Sequence, residues 1–421
     1  MKKIAVLFSL FASISCSPRL VTHLINQNEI KIQPDLVSRS NPSGIETCFD
    51  PASYVLDTLH RDHTPMRYLR VSFHFVNSKD STHNFKEDSG RVFAHRLLHV
   101  MQLLFDSNNK LWLPLHNKIP VIPVNIQYVL TGIKKADQGI YFHYDDQLYS
   151  YIHVGPRSNN ASREVIDQYG LGTDSIINIF IMPHHPDSVK SKTYQSGCVG
   201  IALGTSLKIA GVYEKALNEW NVRGTFNHEI GHILGLEHAW TYDGCEDTPL
   251  HDNKCWVPEM PGCKDNTSNN MMDYNAWQSA LSPCQTGIIH KNLSDTNSSV
   301  RKLLVPTWCQ YDKNKTVNIQ DSIVWLGSRD MEGDIEILPN ASLTVKCRVS
   351  MPKGSRILVH PGGKLILENG LIHNACGYDW NNIQVLSQGN KTGQVIRIVS
   401  VDKKGNDSIG PVNKLEMRKK H

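Results

Sequence analysis

The stretch His228-Glu229-Ile230-Gly231-His232-Ile233-Leu234-Gly235-Leu236-Glu237-His238 decides how the chain is read. On a helix, side chains at i and i+4 share a face, so His228 and His232 can aim a ring nitrogen at one ion, at about 2.0–2.1 Å for zinc. Glu229 projects toward the same side, where a carboxylate can hydrogen-bond a metal-bound water without ligating the metal. Gly235 supplies the chain reversal that a third ligand needs, because glycine ends a helix in the left-handed conformation without steric cost, and His238 follows it. Three protein ligands leave a fourth position open for a reactive water, whereas structural zinc sites are closed by four. An amphipathic core helix that merely contains histidines would have to place two His, a Glu and a Gly at these offsets by coincidence.

Working outward, the 421 residues are long for one domain and predict two or three, and a 40% hydrophobic content suffices for their cores. The formal charge of +4 is nearly balanced, which gives no reason to expect nucleic acid. Much of the excess sits in a tail with Lys414, Arg418, Lys419 and Lys420, read as a solvated end. Residues 1–16 read as a secretory leader: Lys2 and Lys3, an apolar run from Ile4 to Ile14, then small residues ending at Cys16. Ser13-Ile14-Ser15-Cys16 also resembles a bacterial lipobox, with serine where leucine is commoner, so a cleaved leader and a membrane anchor through lipidated Cys16 both stay open. No other stretch reaches the roughly 18 apolar residues of a spanning helix. Export suits the ten cysteines.

Residues 17–60 lack sustained periodicity and read as a linker or pro-segment. The zinc-site domain takes 61–293. Alternation of Leu69, Val71, Phe73 and Phe75 with polar residues predicts a strand over Met66–Asn77. A helix is expected over Ser89–Phe105, with Val92, Leu97, Leu98, Met101, Leu104 and Phe105 on its apolar face. Further strands are expected at Val121–Leu130, Gly139–His143 and Ser175–Met182, then a glycine-rich rim from Gly197 to Gly204, and a zinc helix beginning near Thr225. That order predicts an α/β (α+β) domain with one twisted sheet and the zinc helix beneath it.

The segment from Ala239 to Cys284 is loop-like and holds Cys245, Cys255, Cys263 and Cys284, expected to form two disulfides. Residues 300–421 form a third, all-β region. Within it, 335–345 is echoed by 357–367, with Pro339 and Pro361 in matching places, which predicts either a β-solenoid or an ordinary β-sandwich.

The zinc motif with Gly235 and His238 resembles the signature of the metzincin metallopeptidases, and Asn270-Met271-Met272-Asp273-Tyr274 resembles their Met-turn in its pappalysin form. The resemblance covers about residues 66–293. It implies a secreted or surface-anchored zinc endopeptidase acting on peptide or protein substrates, with His228, His232 and His238 on zinc and Glu229 as general base. Met272 would then floor the imidazoles, and Tyr274 would place its phenol near the oxyanion. It further implies disulfides Cys245–Cys263 and Cys255–Cys284, where sequence alone allows three pairings. The family's calcium site would fall to Asp243, Glu246, Asp247 and Asp252, although the loop lacks the usual Gly-Asp-x-Val stretch; the alternative reading of these residues is solvated loop acids. Some members latch the zinc with a pro-segment thiolate, and Cys48 lies in the corresponding region, though without the glycine that usually follows. The alternative for Cys48 is a disulfide to Cys198 or to the C-terminal region. A rival function is a surface protein whose C-terminal region binds a glycan or protein, with the peptidase domain secondary.

Overall fold

The computed structural model describes residues 20–25, 31–32, 47–80, 84–134, 136–191, 197–214 and 218–398. The leader, Cys16, the basic tail and most of 17–46 lie outside them. Two short strands come first, β1 (Leu20–Ile25) and β2 (Lys31–Ile32), and both pair far along the chain.

The zinc-site domain is built on β3 (Arg67–Asn77), the longest strand of its sheet. Its first half pairs in parallel with β4 (Ile126–Leu130) and its second half with β5 (Ile140–Tyr144), so those two strands share one flank. On the other flank lies β6 (Ile177–Met182), then β8 (Ser206–Ala210), and at the edge β7 (Val199–Leu203), antiparallel to β8. The expected strand from Val121 is cut to five residues because Asn125 takes a left-handed φ of 57° just before it. β8 escaped the sequence reading although Leu207 and Ile209 alternate with Ser206 and Lys208; all five of its residues are buried.

Helix α1 (Glu87–Ser107) covers one face of the sheet with Phe93, Ala94, Leu97, Met101, Leu104 and Phe105 buried. Val92 was expected on that face but is 49% exposed. It lies about 100° round the helix from Phe93, away from the buried stripe. Leu69, Val71, Phe73, Ile179 and Leu207 meet α1 and the zinc-site helix in one core. The opposite face packs Val76, Phe180 and Met182 against Val165 and Ile166 of α2 (Glu164–Tyr169). A single-turn helix, α3 (Pro186–Val189), follows β6.

The remaining two helices carry the site and its support. Helix α4 (Glu219–Ile233) starts six residues before the expected Thr225, because Asn218 caps it and exchanges hydrogen bonds with Asn221 in a capping box. Helix α5 (Pro283–Ser294) is started the same way by Ser282 and Gln285. Gly287 on α5 packs onto the Pro51 carbonyl so closely that a Cβ would collide with it. Residues 47–54 are therefore part of the folded body rather than a linker.

After two short 3-10 turns, Ser299–Leu303 and Thr307–Cys309, the regular structure of the described residues is all β. One ladder stacks β9 (Val317–Ile319), β12 (Ile335–Ile337), β15 (Ile357–Val359) and β18 (Ile383–Gln388) in parallel. A second stacks β10 (Ser322–Trp325), β13 (Ser342–Val345), β16 (Lys364–Glu368) and β20 (Gln394–Ile398). A third stacks β11 (Arg329–Asp330), β14 (Arg348–Ser350) and β17 (Leu371–His373), while β19 (Lys391–Thr392) folds back on β18. Ile335 pairs with Ile357 and Ser342 with Lys364, which is the register of the sequence echo. The matching turns hold Asn340 (φ 66°) and Gly362 (φ 86°), each just past its proline. The interior between the ladders is aliphatic, including Ile335, Leu343, Ile357 and Leu365.

The N-terminal strands finish these ladders: β1 lies antiparallel on β18 and β2 parallel on β20. Cys48 is bonded to Cys347 and Cys309 to Cys376. The latch expected of Cys48 is thereby corrected. Its sulfur is committed to the C-terminal region, and a disulfide sulfur cannot act as a thiolate ligand.

Candidate active site

Helix α4 presents His228, Glu229 and His232 on one face, and its C-terminus brings in His238. The helix ends in a Schellman motif: Leu236 N–H donates to the Gly231 carbonyl at 2.9 Å and Gly235 N–H to the His232 carbonyl at 3.0 Å. Gly235 sits at φ +95°, and Asn292 of α5 donates to the Leu234 carbonyl at 2.9 Å.

The three imidazoles converge through their Nε2 atoms, with His232 Nε2 lying 3.2 Å from His228 Nε2 and 3.1 Å from His238 Nε2. Their Nδ1 atoms face outward. Those of His228 and His232 donate to the carbonyls of Met271 and Leu236, both at 2.8 Å, which leaves each Nε2 as a lone pair. Burial, reinforced by the neighbouring rings, lowers the pKa of His228 to about 3 and of His238 to about 4, so both are neutral. Lone pairs facing one another at this range repel unless a cation lies between them. Tetrahedral bonds of 2.0–2.1 Å put ligand nitrogens about 3.3 Å apart, close to the spacing found. The donor set thus fits zinc.

Glu229 is buried against the sheet edge, where Ala202 of β7 donates its backbone N–H to the carboxylate. Burial raises its pKa to about 7, against the effect of that hydrogen bond. A Cβ on Gly200 would approach Glu229 Cγ to 2.7 Å, so glycine in the rim lets β7 close over the carboxylate.

The turn from Asn270 to Tyr274 runs beneath the imidazoles. Asn270 Oδ1 accepts from Met272 N–H at 2.8 Å, and Asn270 Nδ2 donates to Gln285 of α5 at 2.9 Å. Met272 is fully buried, and its sulfur fills the space where a side chain on Gly231 would stand. Asp273 is buried 3.0 Å from His251; burial alone would lower the pKa of that imidazole, but the carboxylate raises it. Tyr274 is half exposed, with its ring 5.3 Å from His238 and 5.8 Å from His228.

Two neighbours were not legible in the sequence. Trp240 stacks on His238 at 3.9 Å and lies 4.4 Å from Tyr274. Gln278 donates to the Asp273 carbonyl at 2.8 Å and reaches within 3.2 Å of His228 Nδ1. Only nearness to His238 and Tyr274 in the chain could have hinted at them.

The covalent frame departs from the expected pairing. Cys245 is bonded to Cys284 and Cys255 to Cys263, in place of Cys245–Cys263 and Cys255–Cys284. Cys255 and Cys263 face each other across a tight eight-residue loop, while α5 carries Cys284 back to Cys245. The acids expected at a calcium site tie the loop instead. Asp243 accepts from Thr248 and Cys245 N–H, Asp247 from Cys284 N–H, and Asp252 pairs with Lys254. No three of these four acids converge among the described residues. Cys198, the free cysteine among the described residues, is pushed up to about 12 by burial and stays a thiol.

A second cluster, Asp57, His60 and His63, also comes within 4.8 Å. The Trp325 indole N–H donates to His63 Nδ1 at 3.5 Å, placing the ring proton on Nε2, and buried Arg329 lies nearby. That surrounding favours a structural role over a cation.

No curated protein matches the chain. Mature mirolysin of Tannerella forsythia in complex with a cleaved peptide is similar at 18% identity and a TM-score of 0.39, over 57% of this chain and 97% of that one. A promirolysin mutant from the same organism is similar at 16% and 0.37, over 64% and 94%. Mirolysin in complex with a compound is similar at 16% and 0.39, over 57% and 97%. Residues 194–299 match the family model described as metallo-peptidase family M12B, reprolysin-like. That segment, from the rim strand through the three histidines and the 270–274 turn to α5, is similar to a reprolysin-like metallopeptidase domain.

Proposed function

We propose that the chain is an exported zinc endopeptidase of pappalysin-like type. The observation that carries this reading is the meeting of three imidazole Nε2 atoms beside a buried carboxylate under an open sheet edge. Zinc, when bound, would polarise a scissile carbonyl and acidify an attacking water. Glu229 takes that water's proton and passes it to the leaving amine, and its raised pKa suits both acceptance and release near neutral pH. Tyr274 donates its phenol proton toward the developing oxyanion. The outer edge of β7 carries no strand partner among the described residues and can add an extended peptide as a further strand. This recognises backbone rather than a particular side chain.

Four disulfides among the described residues favour an oxidising compartment, in keeping with the leader reading. The three parallel ladders support reading the C-terminal region as a short β-solenoid, a scaffold fastened to the peptidase rather than a separate binder.

Incubation with a peptide library, with and without chelator, tests the reading. Cleavage should need metal, and Glu229→Ala should keep its fold and zinc while losing at least about a hundredfold in rate. Near-normal turnover by that variant would reject the role of Glu229, and absence of cleavage by the native protein would reject the peptidase.

A further inference from the structure

Four of the eight tryptophans are substantially exposed, and three of those gather beside the metal-binding site. Trp112, Trp256 and Trp277 are 40%, 52% and 51% exposed. The rings of Trp112 and Trp277 lie 6.2 Å apart, and Trp256 joins through its carbonyl, which accepts from Ala276 N–H at 3.0 Å. The group borders the site directly, since Trp277 precedes Gln278, whose amide reaches His228, and follows Tyr274 by three residues. Trp240 and Tyr274, themselves 4.4 Å apart, lie against His238.

Each ring is carried on a pinned backbone. Asn269 accepts from Trp112 N–H and donates to the Lys110 carbonyl, both at 2.9 Å. Trp277 N–H donates to Asn275 Oδ1 at 2.7 Å, and the Cys255–Cys263 disulfide closes the loop that holds Trp256. Large rings held rigidly in water lose little freedom on meeting a ligand, which favours binding. The same two loops also expose Leu115 and Met260, among charged neighbours that include Lys110, Lys254 and Glu259.

Resting on the peptidase reading, we propose that Trp112, Trp256 and Trp277 form a substrate shelf that selects peptides with a bulky apolar or aromatic side chain near the scissile bond. The shelf would act on specificity, in contrast to the sequence-tolerant backbone pairing at β7.

The test uses two peptides that differ only in Phe or Ser at each position flanking the cleaved bond. The native protein should favour Phe at one position by about tenfold or more in kcat/KM, in the range of a well-filled apolar subsite. Trp277→Ala and Trp112→Ala should collapse that ratio, chiefly through KM, whereas Trp220→Ala, exposed elsewhere on α4, should keep it. Circular dichroism and zinc content establish that each variant is folded, and Trp277→Leu provides a second, milder truncation. Cleavage without apolar preference, or a preference that survives both shelf variants, overturns the shelf while the peptidase stands. Should the native protein cleave nothing, the peptidase reading fails, and tryptophan fluorescence of Glu229→Ala titrated with the two peptides decides the shelf by itself. Saturable binding of the Phe peptide that is lost with Trp277 supports it; equal or absent binding, or binding of a glycan instead, overturns it.

Discussion

Tyr274 and Glu229 lie near enough for the carboxylate charge to act on the phenol, and each is tuned by how far it is buried. The phenol of Tyr274 is raised in pKa by partial burial and by the nearby Glu229 charge, so it stays protonated and able to donate. A single donor aimed at an oxyanion contributes about a hundredfold or more in rate. Tyr274→Phe should therefore lower kcat about a hundredfold with KM little changed, measured on one good peptide substrate. An unaltered kcat would make Tyr274 a wall of the cleft only. The convergence of His228 and His232 was readable from spacing because one helix positions them, and that of His238 from the Gly235 reversal; Trp240 and Gln278 were not, because tertiary packing alone brings them to the histidines.

At the scale of the element, α4 shows packing in competition with intrinsic preference. Gly231 lies inside the helix, where alanine would ordinarily be favoured by about 1 kcal/mol. Here the sulfur of Met272 occupies the place of the missing side chain, and Met272 is wholly buried. Overpacking of this kind costs about 1–3 kcal/mol, which exceeds the gain in propensity. Gly231→Ala should consequently destabilise the protein and weaken zinc binding, as read by urea unfolding and by competition with a chelator of known affinity. Stabilisation would mean that the turn beneath the helix yields easily.

At the scale of the whole molecule, the zinc-site domain and the β region are joined through a buried polar seam. Asp330 of β11 is inaccessible and accepts from Arg301 at 2.7 and 3.0 Å and from Arg348 at 2.6 Å, with Arg67 of β3 at 3.4 Å. Burial alone would raise the pKa of Asp330, but Arg348, Arg67 and Arg301 together hold it well below the usual carboxylate range. A folded pKa below the unfolded value stabilises the protein above the unfolded pKa, about 3.9, and this contribution is lost as pH falls toward the folded pKa. Asp330→Asn strands three buried guanidiniums and should cost about 3–5 kcal/mol near neutrality. Denaturant unfolding should find this difference steady from pH 7 to 5 and shrinking below about pH 4. A difference that grows on acidification would contradict the assignment.

What the sequence alone determined is whatever depends on short-range periodicity: the zinc motif on a helix, the long strand β3, and the 22-residue echo that became the register of β12 on β15 and β13 on β16. These follow from local geometry, since a residue's place on a helix or strand face is set by its spacing from near neighbours. Tertiary structure decided the rest. It chose among cysteine pairings that spacing could not rank, joined Cys48 to Cys347 across 299 residues, and drew from a segment read as a linker or pro-segment the strands that finish the ladders. Those outcomes rest on which surfaces meet in the folded body, and no window of sequence contains both sides of such a contact.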